Sequence, residues 1–215
     1  MKKLFFILIS LLLLSLLNSA ERVTPLDIYI LIDKSISMEE SGAYTDVKQW
    51  MTSSFIDNSL IIGDTVNLYF FYGETQKAYT KTLGNTEDFL DLKNLITQSS
   101  ADGAFTDIGL ALDTLKNIIT TKTSSNQSAA FVITDLIQEA SYGSKYAGTY
   151  YDFAQRYMTE DRIIPHTVQN GKPSWYEITV QIGNLKTIEN RAQKIYNTIK
   201  NTTNEPLYLA QNRNL

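Results

Sequence analysis

Oxygen-bearing side chains follow the first strongly apolar stretch of the chain. Ile28 to Ile32 runs without a polar break, which predicts a strand buried on both faces. Asp33 comes directly after it, and Ser35 and Ser37 follow at alternate positions. Ligands of open α/β sheets bind beyond the carboxyl ends of the strands. These three side chains are therefore candidates for binding a ligand.

Two later loops carry the same kinds of side chain. Thr106 precedes the clearest amphipathic helix pattern, and Asp135 follows a second buried strand, Ala129 to Ile133. In a doubly wound sheet these loops meet at one edge, where they offer carboxylates and hydroxyls but no imidazole or thiolate. Such oxygen donors are typical of a site for a hard cation, and Mg²⁺ fits best. The candidate ligands are Asp33, Ser35, Ser37, Thr106 and Asp135.

Each of these loops also has a simpler interpretation, in which its polar residue caps a helix. Ser37 with Glu40 matches a capping box, and Thr106 or Asp107 could cap the helix that follows. Asp107 could also be a carboxylate close to the ion, or an exposed first-turn acid favoured by the helix dipole. Capping and metal binding are compatible, because a serine can start a helix while its hydroxyl faces an ion.

The elements around these loops alternate between strands and helices. This alternation predicts an α/β fold with a doubly wound, mostly parallel sheet and helices on both faces. The other predicted strands are Val66–Tyr72, an edge strand Ala78–Leu83, Trp175–Ile182 and a short one at Leu207–Leu209. Predicted helices restart near Tyr44 after Gly42, begin at a Thr86 cap, and lie near Tyr150–Met158 and Ile188–Ile199.

The first twenty residues have the pattern of a signal peptide. Lys2 and Lys3 precede an apolar run from Leu4 to Leu17, and Asn18-Ser19-Ala20 offers a cleavage site. The run is shorter than the roughly 20 residues of a membrane span. We therefore expect cleavage, no transmembrane span afterwards, and a secreted or periplasmic bacterial protein with a single domain at 21–215.

Charge and cysteine content exclude several classes of function. The formal net charge is −4, which disfavours nucleic acid and anionic membrane surfaces as partners. The chain has no cysteine, so it has no disulfide, thiolate metal site or cysteine nucleophile. The only histidine, His166, is predicted to lie on a surface loop and cannot form a histidine-based metal site alone.

The three loops together resemble the von Willebrand factor type A domain with a metal-ion-dependent adhesion site. The resemblance rests on Asp33-Lys34-Ser35-Ile36-Ser37, on Gly103 to Leu112 around Thr106-Asp107, and on Phe131-Val132-Ile133-Thr134-Asp135. It extends from about Asp27 to Leu209 and implies a Rossmann-like fold. It further implies that Ser35, Ser37 and Thr106 coordinate Mg²⁺ or Mn²⁺, with Asp33 and Asp135 acting directly or through water.

The chain departs from that family pattern at two loops and in one long segment. Leu136 stands where glycine commonly follows the last aspartate, and Ala104-Phe105 replaces two glycines that often precede the threonine. The segment 136–174 is longer than a minimal domain needs and is interpreted as a variable loop or helix insertion. Its aromatic residues either cover the domain's own core or form a contact surface: Tyr142, Tyr146, Tyr150, Tyr151, Phe153 and Tyr157.

The leading functional hypothesis is an exported module that binds Mg²⁺ or Mn²⁺ and captures an Asp or Glu of a protein partner. The alternative is a metal-independent structural or assembly protein that uses the aromatic segment 136–174. Catalysis is not expected, because Ser35 stands where aspartate-based phosphoryl-transfer enzymes usually place a second acid. No glycine-rich phosphate loop or nucleophile elbow is found in the sequence.

Overall fold

The computed structural model describes residues 24–148 and the backbone of two later strands, at 163–169 and 172–181. The signal peptide, the helices predicted near 150–158 and 188–199, and the strand at 207–209 lie outside the described residues. No helix in the described part is both long enough and apolar enough to cross a bilayer.

The described strands form one six-stranded sheet in the order β3-β2-β1-β4-β6-β5. Strand β1 (Asp27–Asp33) lies between β2 (Thr65–Phe71) and β4 (Ser128–Thr134) and is parallel to both. Strand β6 (Lys172–Gln181) is parallel to β4. The outer strands β3 (Thr75–Thr82) and β5 (Ile163–Gln169) are antiparallel to their neighbours. The predicted α/β fold with a mostly parallel sheet is confirmed.

Helices cover both faces of this sheet, as a doubly wound arrangement requires. The described helices are α1 (Ile36–Glu40), α2 (Ala43–Trp50), α3 (Ile56–Ser59), α4 (Thr86–Gln98) and α5 (Ile108–Thr120). A π-helical turn at Met51–Phe55 joins α2 to α3. Gly42, with a φ of 76°, separates α1 from α2, so the predicted restart after this glycine is correct.

The alternating side chains of β1 divide the core into two clusters. Ile28, Ile30 and Ile32 pack with Trp50 and Phe55 on one face. Tyr29 and Leu31 pack on the other face with the apolar stripe of α5, which includes Ala111, Leu115 and Ile119. All seven residues of β1 are buried, so the unbroken apolar run correctly predicts a central strand.

Two predicted helix starts are wrong by a small shift. Helix α1 begins after Ser35, and no side chain caps it, so Ser37 and Glu40 do not form a capping box. Helix α4 is capped by Asn85 rather than Thr86, and Asn85 and Asp88 form a reciprocal capping box there. In both places neighbouring polar residues could begin the helix, and the sequence alone does not rank them.

The segment 136–174 contains a strand that the sequence interpretation missed. Strand β5 pairs with β6, and His166 lies on it opposite Trp175 rather than in a loop. Pro165 interrupts the apolar pattern and argues against a strand. Proline is nevertheless tolerated on an outer strand, because on its open side no further strand needs a hydrogen bond from the backbone N–H.

Candidate metal centre

Asp33 ends β1 and is completely buried beneath the first loop. Its Oδ1 accepts a hydrogen bond from the Ser35 backbone N–H at 2.9 Å, and its Oδ2 accepts one from the Thr134 hydroxyl at 2.7 Å. Burial raises the pKa of this carboxyl to about 6, although the hydrogen bonds from Ser35 and Thr134 oppose the shift. A cation bound nearby would favour the ionised form. Asp33 thus fixes the first loop to β4.

The next two candidate ligands lie close to each other and to the last one. The hydroxyl oxygens of Ser35 and Ser37 are 3.1 Å apart. The Ser37 hydroxyl donates to Asp135 Oδ2 at 2.9 Å, across 98 positions of sequence. Asp135 Oδ1 accepts from the Ile137 backbone N–H at 3.0 Å. The structure therefore brings together side chains from the loops after β1 and β4.

Thr106 belongs to a loop whose backbone is paired with both of the others. Gly103 donates to the Lys34 carbonyl at 2.9 Å and accepts from the Ile36 N–H at 3.0 Å. Thr106 forms a two-way backbone pair with Glu139, at 3.0 and 2.8 Å. Thr106 itself is buried, and its hydroxyl forms no hydrogen bond within the described residues. Thr106 is thus held next to the loop that starts at Asp135, with a hydroxyl available for a ligand.

The donor set determines which ion these loops could hold. Among the described residues, no cluster of three or more His, Cys, Asp or Glu side chains could bind a metal. A site here would combine the two carboxylates with the hydroxyls of Ser35, Ser37 and Thr106. Carboxylate and hydroxyl oxygens suit a small hard cation such as Mg²⁺, and the three hydroxyls add no negative charge to the site. These residues fit a divalent ion that keeps at least one position for an outside ligand.

Leu136 adopts a left-handed backbone conformation, which glycine occupies more readily than other residues. Its φ is 68°, in the left-handed region that side chains other than glycine seldom occupy. The side chain is buried in the cluster on the α5 face, and its N–H donates to the Thr134 hydroxyl at 3.1 Å. The loop thus keeps a glycine-like path, and apolar burial opposes the backbone strain.

Asp107 is a buried acid that caps α5. It is buried, it caps α5 by accepting from the Leu110 N–H at 2.9 Å, and it also accepts from Gln138 Nε2 at 3.2 Å. The Ser144 hydroxyl donates to its other oxygen. The expectation of an exposed first-turn acid is therefore wrong, because the segment after β4 folds back over this carboxylate.

The described part of the aromatic segment contains one inward and one outward ring. The Tyr146 ring lies on Gly109, where a Cβ atom would come within 2.6 Å of it, and its hydroxyl donates to Asp113 at 2.8 Å. Tyr142 is fully exposed. Tyr146 therefore covers its own domain, whereas Tyr142 is available for contact; the other four aromatic residues lie outside the described residues.

Two side chains that the sequence interpretation did not single out support the loops. Thr134 donates to the buried Asp33, and it could have been noted because it directly precedes Asp135 at the end of β4. Lys34 lies 2.8 Å from Asp102 and 5.7 Å from the centre of the Tyr72 ring. Asp102 is largely exposed, so the ion pair contributes little stability, but it joins the first loop to the loop of Thr106.

Solved structures with this fold include proteins of low sequence identity. A von Willebrand factor type A protein from Catenulispora acidiphila is 16% identical with a TM-score of 0.54, and covers 80% of this chain. Proximal thread matrix protein 1 from the mussel byssus is 15% identical with a TM-score of 0.51, and covers 82%. This chain spans 42% and 48% of those two chains, respectively. At this identity the likeness concerns the fold alone.

Sequence comparison identifies the family. An uncharacterized protein of Treponema pallidum (strain Nichols) is 31% identical over 184 residues, which is 85% of this chain and 80% of that protein. A sequence profile of the von Willebrand factor type A domain matches residues 28–138, more than half of the chain. This match includes all three loops of the candidate centre. The chain belongs to the von Willebrand factor type A domain family.

Proposed function

We propose that this chain is an exported binding module that holds Mg²⁺ or Mn²⁺ and captures an acidic side chain of a protein partner. The main support is the contact of Ser35, Ser37 and Asp135 across two loops, with Thr106 on the adjoining loop. The ion would supply an electrophilic position for an outside carboxylate. The hydroxyls would hold the ion without adding negative charge, so the ion keeps its attraction for that carboxylate.

The roles of the two acids differ in this proposal. Asp33 is fully buried and both of its oxygens accept hydrogen bonds from the protein, so it supports the loop and acts on the ion through Ser35 or water. Asp135 is only partly buried and reaches the Ser37 hydroxyl, so it is the better placed of the two to act directly. With only one acid in direct contact, the ion keeps part of its positive charge to attract the partner's carboxylate.

Titration calorimetry tests the proposal directly. We expect heat on adding Mg²⁺ to the metal-free protein, and a loss of affinity of about tenfold or more in Ser37→Ala. Ser53→Ala is the matched control, since Ser53 is an exposed helical serine that donates to Gln49. Absence of Mg²⁺ binding by the wild-type protein at millimolar concentration would contradict the proposal.

Metal-independent assembly through the segment 136–174 is the second candidate function. The observation that favours it is the full exposure of Tyr142 on a segment otherwise fixed to α5. Partner capture that persists in EDTA and is lost in Tyr142→Ala would support this candidate. Capture that EDTA abolishes and Tyr142→Ala leaves intact would reject it.

We also propose that the module binds without catalysing a reaction. In phosphoryl-transfer enzymes with an aspartate nucleophile, a second acid lies two residues later, and this chain has the buried Ser35 there. The carboxyl of Asp33 is moreover enclosed by its hydrogen bonds to Ser35 and Thr134. Hydrolysis of p-nitrophenyl phosphate in the presence of Mg²⁺ would contradict this expectation.

A further inference from the structure

Each loop of the candidate centre exposes one large apolar side chain. Ile36 lies between Ser35 and Ser37 and is 45% exposed. Phe105 directly precedes Thr106 and is 46% exposed, and Ile137 follows Asp135 by two positions and is 47% exposed. We call Ile36, Phe105 and Ile137 the apolar rim. The three loops adjoin through their backbone hydrogen bonds, so these side chains are candidates for one apolar interaction surface.

The backbone at each rim residue is fixed by hydrogen bonds or close packing. The Ile36 N–H donates to the Gly103 carbonyl at 3.0 Å, and the Ile137 N–H donates to Asp135 Oδ1 at 3.0 Å. Phe105 lies against Gly73, where an added Cβ would be 3.2 Å from the Phe105 Cβ. The rim is thus held in place before any partner arrives, which lowers the entropy lost on binding.

We infer that the acidic residue recognised by this chain is a single Asp or Glu flanked by apolar side chains, which pack on the apolar rim. This inference rests on the proposed function, because the acid is taken to bind the metal ion. A partner with an acid in apolar surroundings places its carboxylate at the ion and its flanking side chains on Ile36, Phe105 and Ile137. Polar flanking residues would leave the rim in water.

Charge disfavours a partner segment with many acidic residues. The chain itself carries a formal net charge of −4, which gives a densely acidic segment a net repulsion. An isolated carboxylate keeps the attraction to the ion and avoids most of that repulsion. The apolar contacts then supply the additional affinity, in proportion to the area they remove from water.

Two capped peptides test the inference on the full chain. Both have one central Asp; one has leucines on either side and the other has serines. In millimolar Mg²⁺ we expect the leucine-flanked peptide to bind about tenfold more tightly, as measured by fluorescence anisotropy. The triple variant Ile36→Ala, Phe105→Ala, Ile137→Ala should lose most of this preference. Its affinity for Mg²⁺ alone, measured by calorimetry, should be unchanged, which also shows that the loops remain folded.

A matched control removes exposed apolar surface elsewhere. Ile62 and Leu90 are 64% and 53% exposed and lie away from the three loops in sequence. The double variant Ile62→Ala, Leu90→Ala should keep the full preference for the leucine-flanked peptide. Loss of the preference in this control to the same extent as in the triple variant would overturn the inference.

The remaining outcomes separate this inference from the function on which it rests. Metal-dependent binding of both peptides with equal affinity, or a preference that persists in the triple variant, would overturn the inference and leave metal-dependent capture intact. Equal binding in Mg²⁺ and in EDTA would overturn the proposed function itself. Mg²⁺-dependent binding to phosphatidylserine vesicles that the triple variant abolishes, with no peptide preference, would assign the rim to a membrane surface instead.

Discussion

Gly103 lies so close to Tyr72 that no side chain fits between them. An ideal Cβ atom on Gly103 would be 2.4 Å from the Tyr72 Cβ and 3.1 Å from the Lys34 carbonyl oxygen. The close approach lets Gly103 pair with the backbone of Lys34 and Ile36, which sets the loop of Thr106 beside the loop of Ser35.

Gly103→Ala should therefore damage the candidate centre. The new methyl group must displace the Tyr72 side chain or shift the loop of Thr106, and overpacking of this kind costs about 1–3 kcal/mol of unfolding free energy. We expect that loss in urea unfolding, together with weaker Mg²⁺ binding in calorimetry. Gly143→Ala is the control, because a Cβ there meets nothing within 4 Å. Unchanged Mg²⁺ affinity in Gly103→Ala would show that the two loops act independently.

Substitutions of Leu136 should show an unusual order of stability. Its left-handed backbone disfavours any Cβ by about 1–2 kcal/mol, and its buried side chain stabilises by about 2–5 kcal/mol relative to alanine. Leu136→Gly should therefore be less stable than wild type because burial outweighs strain. Leu136→Ala should be less stable again by about 1 kcal/mol, since it loses the burial and retains the strain. Equilibrium denaturation that ranks alanine above glycine would mean that the strain is absent.

Asp107 should contribute far more to the free energy of unfolding than an exposed helix-capping acid does. Asp107→Ala removes the cap of α5 and leaves Gln138 and Ser144 without this acceptor, at a combined cost of about 2–4 kcal/mol. Asp107→Asn retains an acceptor for the Leu110 N–H and should be milder. A loss of only about 0.3–1 kcal/mol in urea unfolding of the alanine variant would instead indicate an exposed acid.

Metal binding should appear as added thermal stability. An ion at 100 times its dissociation constant stabilises the folded state by about 2.7 kcal/mol, which corresponds to a Tm increase of about 5–10 °C in a domain of this size. Calorimetric scans with Mg²⁺ and with EDTA at equal ionic strength measure this increase in Tm. Asp135→Ala should abolish the increase, whereas Asp91→Ala, at an exposed acid on α4, should keep it. An increase retained in Asp135→Ala would place the ion elsewhere.

Two buried tyrosines should make the fold sensitive to alkali. Burial raises the pKa of both Tyr29 and Tyr44 to about 12. A raised pKa in the folded state means that their contribution is present below the unfolded value of about 10 and is lost as pH rises towards 12. We expect each group to contribute a loss of about 1 kcal/mol at pH 11.

Urea unfolding at pH 9 and pH 11 measures this loss, and the double variant Tyr29→Phe, Tyr44→Phe serves as its comparison. Phenylalanine cannot ionise, so the variant should show a smaller drop between the two pH values. The same drop in both proteins would mean that other groups, such as lysines, cause the alkaline sensitivity.

The sheet and its central strands were predictable because burial on both faces leaves a simple pattern. The runs Ile28–Ile32 and Ala129–Ile133 are apolar without interruption, and both are central strands. Strand β5 could not be predicted in the same way, because Pro165 breaks its pattern and its place in the sheet comes from pairing with β6, which lies later in the chain.

The candidate site was predictable in its residue types but not in its contacts. The spacing of Asp33, Ser35 and Ser37 identifies the loop, but either of two serines could start α1. The choice of Ser35 frees Ser37 to reach Asp135, a contact formed only when β1 and β4 pair. The left-handed backbone of Leu136 likewise has no signature in its own residue type.

The sheet ends on one side with β3, a strand whose residues are mostly exposed and polar. Lys77 and Lys81 lie along it, with Lys81 in an ion pair with Asp88, and charged side chains on an outer strand disfavour its pairing with a second copy. Charged outer strands of this kind resist polymerisation by strand addition. Copies of this protein should therefore not join through β3, even in concentrated solution.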